Sequence, residues 1–223
     1  LLHSQRHCIR NLSNMSLLVA LLQERDYVGA RSLMNANPLS ANAKIDQSLL
    51  ANEDPTIFYA LEDLETLEHL LLVSPQSSWA QNQYGDRPIH AACQLPNVDA
   101  EVIQVLLFAF PEGASAKNKA GKLALHFAAA NVLALEVVLL VYKAFPNAVT
   151  EKESKNDSKP LHYACAFKAP LPIAQFFIEQ HYQALEQRNR QGNLPLHLSL
   201  MYDAPEDVQL FLLNKYAAAV QER

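Results

Sequence analysis

The sequence lacks the residue patterns that would name a reaction. Its 223 residues hold no Gly-rich phosphate loop, no CxxC pair, no HExxH and no GxSxG. Cysteine is scarce, at three (Cys8, Cys93 and Cys165). Three thiols cannot all pair within one chain, which argues for the cytoplasm or another reducing compartment. Positive charge is short as well, with 18 basic against 23 acidic residues and a formal net charge of -5. That sign argues against a dedicated nucleic-acid binder. No segment alternates with the period of a long strand. Long apolar runs are missing too. The stretch Phe127–Phe145 is interrupted by Asn131, Glu136 and Lys143, and a central carboxylate is costly in lipid, so no membrane span is expected. Leu17–Leu22 is too short for a signal-peptide core. The first residue is Leu1, not Met, so the chain reads as a fragment or a processed product, from which any targeting peptide would already be absent.

Half the residues are apolar, too many for a disordered chain. A chain of this length buries roughly 70% of its unfolded surface and needs no disulfide or metal staple. What it does have is internal repetition. Four segments align: GDRPIHAAC (Gly85–Cys93), GKLALHFAA (Gly121–Ala129), DSKPLHYAC (Asp157–Cys165) and GNLPLHLSL (Gly192–Leu200). Their histidines, His90, His126, His162 and His197, are spaced 36, 36 and 35 residues apart. A second landmark ends at Pro75, Pro111 and Pro146, with Tyr182 and Ala217 at that place in the last two units. PTIFYAL (Pro55–Leu61) is a weaker copy with Phe58 in the histidine position. Ser16–Pro38 reads as one further helix pair.

Proline and glycine punctuate these units. Pro55, Pro88, Pro160 and Pro195 stand where a first helix starts and a missing N–H costs nothing. Pro96, Pro170, Pro172 and Pro205 open a second helix. Pro38, Pro75, Pro111 and Pro146 stop it. Gly85, Gly121 and Gly192 occupy the turn before each histidine segment, where positive φ is expected. Asp157 takes that place in the fourth turn. One such unit cannot bury its apolar face alone, so the units must stack.

The segments PIHAA, ALHFA, PLHYA and PLHLS resemble the ankyrin repeat, a roughly 33-residue unit carrying T-P-L-H-x-A. The resemblance is strong over 85–217, moderate over 55–84 and weak over 14–43. The chain departs from the pattern in its longer 35–36-residue period and in lacking the threonine. The resemblance implies an all-α solenoid of about six stacked helix pairs with hairpin loops on one side. The expected organisation is an N-terminal extension, 1–13, followed by a solenoid over 14–223, in units near 14–43, 54–83, 84–119, 120–155, 156–190 and 191–223. It further implies a non-catalytic protein-binding module or scaffold that uses the concave helix face and the hairpin tips.

The residue after each histidine faces the concave groove in that family. Here the row is Tyr59, Ala91, Phe127, Tyr163 and Leu198, either an exposed binding stripe or one partly covered by neighbouring hairpins. The four hairpin windows 78–88, 114–124, 149–160 and 185–195 hold nine cations against five carboxylates. The ridge residues are Tyr84, Arg87, Lys119, Lys122, Lys155, Lys159 and Arg190. They suggest a partner with an acidic patch, beside the plainer reading of ordinary solvated turns. Nucleic acid is the weaker expectation and no small-molecule substrate is expected. The apolar C-terminal helix pair suggests further repeats or a subunit covering that end, as in a structural component of a larger assembly.

No cofactor or metal is expected. Four histidines in register could suggest a metal protein or enzyme. Helices stacked about 8–10 Å apart hold such residues too far from one another to share a zinc, so each histidine is expected to tie its own turn to backbone. His3, His7 and Cys8 form at most a partial metal site. Cys93 and Cys165 recur two units apart and read as small buried residues. The acidic run Glu62-Asp63-Leu64-Glu65-Thr66-Leu67-Glu68 is expected to be a solvated helix face.

Overall fold

A computed structural model describes residues 14–36, 56–131 and 134–221. His3, His7 and Cys8, the extension 1–13, and Pro38 and Pro55 lie outside the described residues. Among those described there are eleven α-helices and no strand. The chain divides into two compact units, Leu1–Gln83 and Tyr84–Arg223.

In the first unit, α1 (Asn14–Gln23) pairs with α2 (Tyr27–Ala36). A 3-10 turn, Thr56–Ala60, lies against α1, and α3 (Leu64–Val73) lies against α2. Leu18, Leu22, Met34, Ile57, Leu67 and Leu70 are buried between them. Asp63 caps α3, its Oδ2 accepting the Thr66 N–H at 2.9 Å, which supplies one of the donors a helix start leaves unpaired. Arg31 holds the same oxygen at 2.7 Å. The segment carrying Phe58 closes as a 3-10 turn where a first helix was expected.

The second unit has four helix pairs. The short inner helices are α4 (Pro88–Ala92), α6 (Ala124–Ala130), α8 (Pro160–Ala166) and α10 (Pro195–Met201). The longer outer helices are α5 (Ala100–Ala109), α7 (Leu135–Ala144), α9 (Leu171–Gln180) and α11 (Glu206–Gln221). Inner helices pack on inner helices and outer on outer, each on the one a repeat away. Ala92, Ala128, Ala164 and Ser199, two residues after each histidine, are buried at this inner seam. Their small side chains allow close helix approach. Val102, Ile103, Val137, Val138, Val141, Ile173 and Phe177 fill the seam between inner and outer layers.

Pro88, Pro160 and Pro195 are the first residues of their helices. Pro111 and Pro146 do more than stop a helix. Each opens a further 3-10 turn, Pro111–Ala114 and Pro146–Thr150, and Tyr182–Glu186 repeats it without proline. At Ala217 nothing interrupts the helix, and α11 runs on to Gln221. The stretch Phe127–Phe145 is divided between α6 and α7. No helix among the described residues is long and apolar enough to cross a membrane.

The inner helices α8 and α10 end with a residue at positive φ, Lys168 at 62° and Asp203 at 55°. The following N–H returns to the carbonyl five residues back, Ala169 to Ala164 at 2.9 Å and Ala204 to Ser199 at 2.8 Å. That is a Schellman closure, which favours glycine. Lys168→Gly is expected to raise stability by about 0.5–1 kcal/mol, because its exposed 4.0 Å contact with Asp203 contributes little. A higher urea midpoint at unchanged slope is the expected reading.

Candidate functional site

The four repeated histidines cap their helices. Each stands at the third helical position, and its Nδ1 accepts the N–H of the residue before the helix. The donors are Arg87 (3.0 Å), Leu123 (3.1 Å), Lys159 (3.3 Å) and Leu194 (3.3 Å). With Nδ1 accepting, the ring proton of a neutral histidine sits on Nε2. His90 Nε2 donates to the Ala116 carbonyl at 2.9 Å and His162 Nε2 to the Gln187 carbonyl at 3.1 Å. For His126 the counterpart is the Glu151 carbonyl, whose contact falls short of hydrogen-bond geometry. The rings of His90 and His162 thus link a helix start to the segment entering the next hairpin. Burial holds His126 down to about 3 and His162 to about 4, and lowers His90 as well. They are neutral at pH 7. His197 caps in the same way but is exposed.

Aromatic rings of the following unit stand against these histidines. Phe127 meets His90 edge-on at 5.9 Å between centroids, and Tyr163 meets His126 at 5.6 Å. Among the described residues no group of three or more His, Cys, Asp or Glu is placed to hold a metal. Cys93 and Cys165 are free and fully buried, and burial pushes both thiols up to about 12.

The hairpins are closed by side chains that the sequence reading passed over. Asn118 Oδ1 accepts the N–H groups of Ala120 and Lys122 at 3.0 and 2.9 Å. Asn189 Oδ1 does the same for Gln191 and Asn193, at 3.0 and 2.9 Å. Glu153, buried, takes three N–H groups, those of Lys155, Asn156 and Ser158. The signal was present in the sequence, since Asn118 and Asn189 each precede their histidine by eight residues. One backbone bond joins each hairpin to the next: Lys119 N–H to Tyr84 carbonyl, Ser154 to Ala120, and Arg190 to Asn156, at 3.1, 2.9 and 2.7 Å. Gly85, Gly121 and Gly192 adopt φ of 74°, 73° and 81°, and Asp157 adopts 55°.

The expected binding row divides. Phe127 and Tyr163 are half-buried, and Ala91 is half-buried beside them in register. Leu198 is only 6% exposed. It is buried on the last inner helix and offers no anchor, a correction to the row. Two aromatics outside the expected row are more open. Phe167 is 52% and Tyr202 51% exposed, and Phe167 stacks parallel on Tyr163 at 6.0 Å. They stand four residues after Tyr163 and Leu198, one helical turn on, so helical spacing was the signal for them. Tyr59, half-buried, belongs to the first unit.

Comparison with protein-family models finds none that matches the chain, and comparison with curated proteins finds no match.

The basic ridge is also redistributed. Lys159 is 4% exposed and leaves it, a second correction. Its long side chain turns inward and Nζ meets His181 Nε2 at 3.0 Å. In the first helix pair of the Tyr84–Arg223 unit the same two positions hold Arg87 stacked over the Phe110 ring at 5.6 Å. Lys122 lies over two rings, its Nζ 5.2 Å from the Phe127 centroid and 4.9 Å from that of Tyr163. Arg190 forks onto Asp157 at 3.1 and 3.3 Å, and Lys117 pairs with Glu151 at 2.7 Å. Lys119, Lys155 and Arg190 are exposed at the tips, as is Tyr84. Asp86 and Glu153 are buried, so two of the five hairpin carboxylates are withdrawn from the surface.

Proposed function

We propose that this chain is an ankyrin-type repeat solenoid, a non-catalytic module that binds another protein. The observation that supports it most is the aromatic strip of Phe127, Tyr163, Phe167 and Tyr202, with Lys122 over its first two rings. Tyrosine and phenylalanine give large contact area at low conformational cost, and such residues dominate binding energy at interfaces. The cation at Lys122 and the exposed tip residues Lys119 and Lys155 favour a partner segment that carries carboxylates beside apolar side chains. The histidines read as structural, because both ring nitrogens of His90 and His162 are occupied by backbone.

The test is a pull-down from source lysate with mass spectrometry, using the wild-type chain and a Phe127→Ala/Tyr163→Ala double variant as baits. A stoichiometric partner lost from the variant, with the helical CD spectrum intact, is the expected result. A partner kept by both baits would move the interface elsewhere and favour a structural component of a larger assembly. Exposed Leu200, Met201, Leu210 and Leu213 speak for that second reading.

A further inference from the structure

Among the described residues, carboxylates outnumber cations far more in the first unit than in the second. The described residues of Leu1–Gln83 include two arginines, Arg25 and Arg31, no lysine and six carboxylates. Arg31 is taken up by Asp63 and Glu65, at 2.7 and 3.2 Å. This acidic unit holds a cleft of about 230 Å³ lined by Leu22, Tyr27, Phe58, Tyr59, Arg25 and Glu62. Leu22 is buried and the three aromatic side chains are half-buried, so each keeps part of its surface open. Gln23 Nε2 reaches the Tyr59 hydroxyl at 3.5 Å. At the rim Arg25 Nη2 meets both oxygens of Glu62, at 2.9 and 3.2 Å.

Three aromatic rings and a carboxylate around one small space suit a cation. Ring faces attract an ammonium group through their quadrupole, and the attraction grows as water is displaced. The carboxylate adds a charge partner. An anion would have to displace the Glu62 carboxylate from Arg25 and remain beside it. The volume falls below the roughly 300 Å³ of a site for a whole small ligand, and so fits the head of a single side chain. We propose that this cleft receives the alkylammonium head of a lysine, unmodified or N-methylated, carried on a basic segment of a partner protein. The net charge of the surrounding unit draws such a segment in. Arg25 is the internal competitor: its guanidinium holds the Glu62 carboxylate until the incoming ammonium replaces it.

The test uses the full 223-residue chain, 15N-labelled and titrated by NMR. The probes are four Ala-Ala-Xaa-Ala-Ala peptides with lysine, trimethyl-lysine, norleucine or glutamate at Xaa. Both ammonium peptides are expected to bind at least tenfold tighter than the norleucine peptide, shifting amide signals near residues 22–27 and 58–62. Glu62→Gln is expected to weaken them at least fivefold, and Tyr59→Leu similarly. Arg25→Ala is expected to tighten them about threefold, a gain that a misfolded variant cannot produce. Equal binding of the norleucine or glutamate peptide would overturn the proposal. So would an Arg25→Ala variant that binds no better than wild type. Phe127 and Tyr163 take no part in the cleft, so this result and the pull-down fail or succeed separately.

Discussion

Acid is expected to destabilise the Tyr84–Arg223 unit from about pH 6.5 downward, before the ordinary carboxylates titrate. His126 and His162 are held neutral by burial, at about 3 and about 4, with the charged form desolvated. The unfolded chain returns both to about 6.5. Between those values the unfolded state binds more protons than the folded one, so stability rises with pH there. It is fully present above pH 6.5 and is lost as pH falls below it. Each such histidine costs about 1.36 kcal/mol per pH unit, which makes the pair worth about 5 kcal/mol by pH 4.5. Whole-domain stability is about 5–15 kcal/mol. His90 and His181, both also lowered by burial, act in the same direction. His181 has the Lys159 ammonium 3.0 Å away, so its protonation sets two cations side by side, with Lys152 adding to the repulsion on Lys159 and Glu151 opposing it. Urea unfolding followed by CD between pH 7 and 4.5 should show a steep loss of stability. His126→Asn can still accept the Leu123 N–H and should remove about 1.36 kcal/mol per pH unit from that slope. A stability that stays flat over this range would show that the rings are not held neutral by burial.

Those same histidines made the repeat legible. Their near-constant spacing, with proline two residues before three of them and glycine or aspartate farther back, marked where each inner helix begins. Cap geometry requires those residue types at those places. The 3-10 turns opened by Pro111 and Pro146 were hidden, because proline at a helix end signals only that the helix stops. The inner side of the hairpins was hidden as well. Lys159 reads from sequence as a tip cation, yet its four-carbon stem packs inward and its Nζ finds a histidine. Glu153 reads as a surface acid, yet three backbone N–H groups turned toward it offset its desolvation. Leu198 was placed by register alone, and register fixes a helix face without saying what covers it. Phe167 and Tyr202 stood one turn beyond the motif, where a search confined to the motif does not reach.

The turn glycines allow conformational cost to be separated from steric cost, and the expected effects are unequal. All three of Gly85, Gly121 and Gly192 need positive φ, which costs a residue with a Cβ roughly 1–2 kcal/mol. At Gly192 nothing lies within 4 Å of an added Cβ, so Gly192→Ala should cost about 1–2 kcal/mol and no more. At Gly121 an added Cβ would come within 2.1 Å of Ser154 Oγ and 2.8 Å of the Ser154 backbone nitrogen. The hydroxyl can rotate away, but the nitrogen cannot, because its N–H is bonded to the Ala120 carbonyl at 2.9 Å. That bond joins one hairpin to the next. Gly121→Ala must therefore open the junction, adding a lost backbone hydrogen bond and displaced packing to the φ penalty. The expected loss is about 3–4 kcal/mol, at the upper end of single-residue effects. Ser154→Ala in the Gly121→Ala background should recover little, since the backbone contact remains. Equal urea midpoints for the Gly121 and Gly192 variants would mean that the hairpins are not held edge to edge through Ser154. A much lower midpoint for Gly121→Ala, with faster exchange of the Ser154 amide, would identify this junction as a link that carries cooperativity from one repeat to the next.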